Sequence, residues 1–189
     1  MWALVESDNV TQVYTRPKGL TIGEVNYPSN IFMLWTSSEL EAIGIYEIVI
    51  DNSNLKDQEY YINTNQTFDF ADGVVTASYG TATAKAIEDV TNEDDTVTPG
   101  LKTNYKAIIN QQAGGLLQDT DWMVVRAAEG GTAVPSDITT WRAAVRTKAN
   151  AMQVQIDGAA DVDALAALYV YNDATPPVRP LGDFPILGA

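Results

Sequence analysis

Carboxylates are the only side chains here with the numbers and spacing for acid–base chemistry. The chain of 189 residues has no His and no Cys. That removes thiolate nucleophiles, Ser-His-Asp and Cys-His pairs, disulfides, Fe–S clusters and ordinary zinc sites. A glycosidase-type mechanism needs two carboxylates at a fixed separation, one with a raised proton affinity. Candidate pairs are Glu39 with Glu41 and Asp161 with Asp163. Both spacings are those of helix caps and first-turn acids. Asp157, Asp161 and Asp163 resemble a metal cluster on paper, but read more simply as a helix stop, an N-cap and a first-turn acid. No glycine spacing matches a dinucleotide fingerprint or a P-loop. The sequence therefore predicts a protein that is not an enzyme and uses no cofactor or metal.

The acids cluster once. Glu88, Asp89, Glu93, Asp94 and Asp95 stand within residues 88–95, and residues 88–100 hold no base. The primary expectation is an exposed acidic linker over 85–101, extended by its own repulsion. The alternative is a cation loop, although the spacing is not that of an EF-hand. A second candidate set is aromatic: Tyr60, Tyr61, Phe68, Phe70 and Tyr79. Exposed, they could stack a partner, or stack sugars and make the chain a carbohydrate-binding module. The commoner use of such residues is the core face of a small sheet.

The elements that position these residues are legible in part. Trp2-Ala3-Leu4-Val5 and Val10-Thr11-Gln12-Val13-Tyr14 are β-prone and flank the turn residues Ser7-Asp8-Asn9. Arg16-Pro17-Lys18-Gly19 makes the next turn. The dense apolar run at 30–35 is expected as a buried strand. Thr36-Ser37-Ser38-Glu39 is a capping box, which opens a helix over 37–43 ended by Gly44. A strand follows at 45–50. Asp72-Gly73 predicts a type I′ hairpin between 59–71 and 74–80. These features make residues 1–84 a small antiparallel β-rich domain.

Beyond Leu101 the pattern is helical, and residues 102–171 are expected as a helical domain. Tyr105, Ile108, Ile109, Gln112 and Leu116 form one stripe, with Gly114-Gly115 weakening its end. Ser136 is expected to cap a helix running to about residue 155. Its stripe is Ile138, Trp141, Ala144 or Val145, Ala149, Met152 and Ile156. Asp157-Gly158 stops it, and Asp161 caps a short third helix. Residues 172–189 hold Pro176, Pro177, Pro180 and Pro185, which exclude a helix. They end in apolar Phe184, Ile186 and Leu187. We expect an extended Pro-rich C-terminal arm that docks on a neighbour rather than a free end. The fold class is thus α+β: a β-rich N-terminal domain, a helical C-terminal domain and an arm.

Lys+Arg number 11 against 25 Asp+Glu, a net charge of −14, and 46% of residues are hydrophobic. That composition is globular rather than disordered. The charge disfavours nucleic acid and anionic membranes as partners. Residues 1–6 lack the pattern of an export signal, and no apolar run is long enough to span a bilayer. Synthesis and use in a cytoplasm are expected. No repeat of fixed period is present, so a solenoid is not expected.

One set of residues carries a resemblance. Leu116-Leu117, Thr120-Asp121-Trp122 and Trp141-Arg142-Ala143-Ala144-Val145-Arg146 occur in that order. They resemble phage tail-fibre assembly proteins, which show a Leu-Leu pair, a Thr/Ser-Asp-Trp triplet, a loop with prolines and a helix with Tyr-Arg-x-x-Leu-Arg. Trp141 replaces the Tyr of that pattern and Val145 the Leu. The match covers about a fifth of the chain. A weaker likeness, through Tyr27-Pro28, Ile31-Phe32, Trp35-Thr36, Glu39-Leu40 and Ala42-Ile43-Gly44-Ile45, is to a module of uncharacterised proteins from marine and cyanobacterial tailed phages. The resemblance implies a virion-associated tail protein that binds tail or tail-fibre subunits, or other copies of itself. An assembly chaperone leaves the finished particle, whereas an ordered arm suits a resident part. Trp122, Trp141, Arg142 and Arg146, with Phe184, Ile186 and Leu187 of the arm, are the candidate interface. The plainer reading makes both tryptophans core and both arginines partners of helix-surface carboxylates.

Overall fold

Ser7 and Asp8 both take positive φ, 50° and 60°, the conformation of a type I′ loop. They join β1 (Trp2–Glu6) to β2 (Asn9–Tyr14), its antiparallel partner. β3 (Leu20–Ile22) and β4 (Val25–Tyr27) form a second hairpin. The chain has the mixed α+β fold expected, with a curled sheet and two long helices, and the computed structural model describes residues 1–188. Ala189, the last residue of the expected arm, lies outside them. Two compact units divide it, Met1–Thr83 and Ala84–Ala189.

The run at 30–35 is not a strand. It forms α1 (Ile31–Leu34), a single turn. The carbonyl of Asn30 accepts from the amides of Met33 and Leu34, and that of Pro28 from Ile31, so the preceding turn starts the helix. Only Ile31 and Phe32 point inward; Met33 and Leu34 are exposed. α2 (Ser37–Glu41) follows, two residues shorter than expected. Its capping box is closed: Thr36 Oγ1 accepts from the Glu39 amide at 3.3 Å, and Glu39 Oε2 accepts from the Thr36 amide at 2.8 Å.

Next come β5 (Ile45–Asp51), β6 (Tyr61–Ile62), β7 (Gln66–Ala71), β8 (Val74–Tyr79) and β9 (Thr83–Ala84). The main sheet runs β2-β1-β5-β8-β7, antiparallel except for β5 with β8. Asp72 and Gly73, at φ 51° and 78°, make the β7–β8 turn the sequence predicts. Apolar side chains pack on both faces of the sheet. Leu4, Tyr14 and Ile45 meet Leu20, Ile31, Phe32 and Leu40 on one. On the other, Ala3, Ile48, Val75 and Ala77 are joined by Tyr46, Phe68 and Phe70. Two-sided cover explains why the adjacent residues Ala3 and Leu4 are both buried.

The acidic segment is not an extended linker. It folds as a hairpin of β10 (Val90–Thr91) and β11 (Val97–Thr98). Two of its acids accept backbone amides and a third, Glu88, pairs with Lys102 at 2.6 Å, which offsets their repulsion. Asp94 Oδ1 accepts from the Thr96 amide and hydroxyl at 3.1 and 2.6 Å, and Asp89 Oδ1 from the Gly100 amide at 2.8 Å. Gly100 is needed for close approach, since a Cβ there would collide with the backbone of Ile87 and Glu88.

α3 (Leu101–Ala128) continues through Gly114-Gly115 rather than ending there. It buries Leu101, Tyr105, Ile109, Ala113 and Thr120. Ile108 and Leu116 of the expected stripe are exposed, because the small residues Ala113 and Thr120 form the close-packed side. α4 (Ser136–Asp157) packs on it, with Pro135 rather than Ser136 at the N-cap. Ile138, Val145, Ala149, Met152 and Ile156 are buried as the periodicity requires; Arg142 takes the place expected of Trp141. α5 (Val162–Ala167) is capped by Asp161, whose Oδ1 accepts from the Ala164 amide at 2.7 Å. Residues 172–188 carry neither helix nor strand. They pack on their own unit: Leu181 is fully buried, its amide donates to the Leu168 carbonyl at 3.0 Å, and its carbonyl accepts from Lys148 Nζ at 2.8 Å.

Candidate functional site

Leu117, Thr120 and Asp121 fall at i, i+3 and i+4 on α3 and so share a face. All three meet Arg142 of α4. Arg142 Nη1 donates to the Leu117 carbonyl at 2.8 Å and to Thr120 Oγ1, and Nη2 donates to Asp121 Oδ1 at 2.7 Å. Thr120 Oγ1 also donates to the Leu117 carbonyl, at 2.9 Å. A planar, multi-donor cation suits this task, because it can satisfy a carbonyl, a hydroxyl and a carboxylate at once. Thr120 and Asp121 of the motif's triplet thus meet Arg142 of its helix in a single polar cluster, which neither tryptophan joins. Arg142 is only 9% exposed. It acts inside the helix pair, not on its surface.

The adjacent Trp141 is half-buried, and its Nε1 donates to the Pro185 carbonyl at 2.9 Å. That bond holds the C-terminal tail against α4. Upstream, Asp183 accepts from Tyr171 at 3.1 Å and pairs with Arg179 at 2.9 Å. Phe184 is half-buried, whereas Ile186 and Leu187 project outward, Ile186 with 77% of its surface exposed. The tail forms a ridge between two shallow grooves. One, of about 480 Å³, runs past Ser136, Thr140 and Ala144 of α4. The other, of about 350 Å³, runs past Leu116 and Asp119 of α3. Trp141, Ile186 and Leu187 border both.

The other two expected residues lie apart. Trp122 is exposed on α3 and does not pack beneath Trp141; the Arg126 guanidinium lies over its ring at 4.8 Å. Arg146 is exposed and forms no ion pair among the described residues. Sequence reasoning missed Thr120 and Asp121 as partners of Arg142, and Lys148 as a tether for the tail. The i, i+3, i+4 spacing around Leu117 was the available signal.

Several carboxylates have shifted proton affinity, all downward. Asp89 is lowered by the Gly100 amide and then the Thr103 hydroxyl. Asp94 is lowered chiefly by Thr96, Asp51 by the Ser53 amide, and Glu39 by the Thr36 amide. In each case hydrogen bonding to the charged form is the cause. A general acid working near neutral pH needs the opposite shift. Among the described residues, no group of three or more Asp or Glu is placed to hold a metal ion, and no helix is long and apolar enough to cross a membrane.

The chain matches no protein-family model, no curated protein and no solved structure.

Proposed function

We propose that this chain is a non-enzymatic component of a tailed-phage tail, a structural or adaptor part that binds tail or tail-fibre subunits. The observation that carries this reading is the ridge at Trp141. Two apolar side chains, Ile186 and Leu187, stand exposed beside two grooves, on a segment tied down by Trp141 and Lys148. Ordered, exposed apolar groups around a half-buried Trp are the composition of interface centres. The motif residues that resemble tail-fibre assembly proteins support the reading from the sequence side. In it, the Pro-rich stretch 172–188 is the docking arm, Arg142 keeps the α3–α4 platform rigid, and the protein resides in the virion after synthesis in a host cytoplasm.

The test is composition of purified particles, by mass spectrometry, with wild-type chain and with I186D/L187D. A stoichiometric band that the double variant loses, while the variant stays folded, supports the reading. Presence in particles regardless of the substitution moves the interface elsewhere. Absence from particles, with fibres that fail to assemble when the gene is deleted, makes the chain a transient tail-fibre chaperone instead.

A further inference from the structure

Of the five hairpin-region aromatics, three are core: Tyr60 is buried, and Phe68 and Phe70 pack under the sheet. The other two, Tyr61 and Tyr79, converge on a pocket of about 410 Å³ in the N-terminal unit, together with Leu55, Gln58, Asn63 and Asn65. Its size is within the range of small-molecule sites. Every side chain that lines it is uncharged, in a chain where 19% of residues are charged.

We propose that this pocket binds a neutral saccharide. The argument is one of matching chemistry. A pyranose offers hydroxyls that both donate and accept, and apolar C–H faces. Carboxamides both donate and accept. The side chains of Gln58 and Asn65 enter no hydrogen bond among the described residues, so their capacity is free for a ligand. The rings of Tyr61 and Tyr79, with Leu55, supply apolar surface for the C–H faces. The segment 55–65 carries Asp57 and Glu59 against Lys56, and the net charge is −14, so phosphorylated or carboxylated sugars are disfavoured.

The frame is already rigid. Asn63 clasps the Lys56 backbone from both sides, accepting from its amide at 2.9 Å and donating to its carbonyl at 2.7 Å. Thr64 Oγ1 accepts from the Gly80 amide at 2.8 Å, and Asn54 Nδ2 donates to the Tyr79 carbonyl at 3.0 Å. These bonds pin the loop to the end of β8. A ligand then meets a preformed site and loses little affinity to ordering it.

This inference is independent of the tail-subunit reading, since it uses a different unit and a different readout. The experiment titrates the full-length, isotope-labelled chain with glucose, galactose, mannose, N-acetylglucosamine and short neutral oligosaccharides of each. Amide and side-chain NH₂ shifts are the signal. Saturable shifts confined to 54–65 and 79–80 are expected with at least one probe. Gln58→Ala and Asn65→Ala, both at exposed positions, should each weaken that binding at least about tenfold, and Tyr61→Ala should abolish it. Spectra unchanged elsewhere establish that each variant is folded. No saturable shift with any of these sugars overturns the proposal, and so does binding that both amide substitutions leave unaltered or that glucuronic acid reproduces equally well.

Discussion

Arg142 is the side chain whose removal should be felt most within the helical unit. It serves three acceptors, two of them, the Leu117 carbonyl and Thr120, in a water-poor setting. Charged hydrogen bonds are worth more than neutral ones, and an abandoned buried acceptor carries its own desolvation cost. Arg142→Ala should therefore destabilise the protein by roughly 2–4 kcal/mol, measured by denaturant unfolding. Arg142→Lys should recover only part of that, because an ammonium cannot span the same three acceptors. Asp121 is 57% exposed, so Asp121→Asn should cost less than about 1 kcal/mol. Equal losses for Arg142→Ala and Asp121→Asn would show that the ion pair, rather than the buried fork, carries the interaction.

Glycine at the element scale has opposite meanings in two places. Gly114 and Gly115 sit inside α3, and a Cβ added at either meets open space. Alanine there lowers the entropy of the unfolded chain and suits the helix, so each change should add roughly 0.5–1 kcal/mol. Gly44 differs: its φ is +82°, and a Cβ would stand 2.8 Å from the Val5 carbonyl. Gly44→Ala should cost about 1–3 kcal/mol, and thermal unfolding of the three variants would show the contrast in sign. The sequence singled out Gly44 as the helix end, although α2 closes earlier, with Ala42 at its C-cap. It misjudged the Gly114-Gly115 pair because propensity is local, whereas the packing of α3 on α4 carries the helix through. The tail is fixed in a similar way, by long-range contacts. Leu181→Ala should destabilise by roughly 2–5 kcal/mol, since the side chain is wholly buried.

Across the whole molecule, a charge of −14 sets how stability responds to solution conditions. Two effects oppose each other as pH falls. Protonation relieves the self-repulsion, which stabilises. Glu39, Asp51, Asp89 and Asp94 hold their protons less tightly when folded, so their contribution is complete above the ordinary carboxylate range and is lost as pH drops through their lowered values. Thermal stability should thus rise modestly from neutral pH toward about pH 5 and fall steeply below about pH 4. Lys106 is raised chiefly by its bond to Asp157, and its share should disappear above the usual lysine range. Added salt at neutral pH should raise the melting temperature by screening the repulsion. A melting temperature that declines steadily from pH 7 downward, or ignores salt, would remove self-repulsion from this account.

What the sequence determined by itself lies within a few residues along the chain. Thr36 with Glu39, Asp72 with Gly73, Asp161 with the Ala164 amide, and the buried stripe of α4 all depend on neighbours about four positions away or fewer. The same reading went wrong where context outweighed composition: the apolar run that became α1, and the acids whose repulsion a hairpin absorbs. Only the tertiary structure decided which side chains are buried and which are offered. Arg142 reaches partners 21 to 25 positions away, Lys148 one 33 away and Trp141 one 44 away. Tyr61 and Tyr79 share a pocket although a hairpin separates them. The physical reason is that side-chain burial is a property of the packed surface, which a residue acquires only when distant segments close over it.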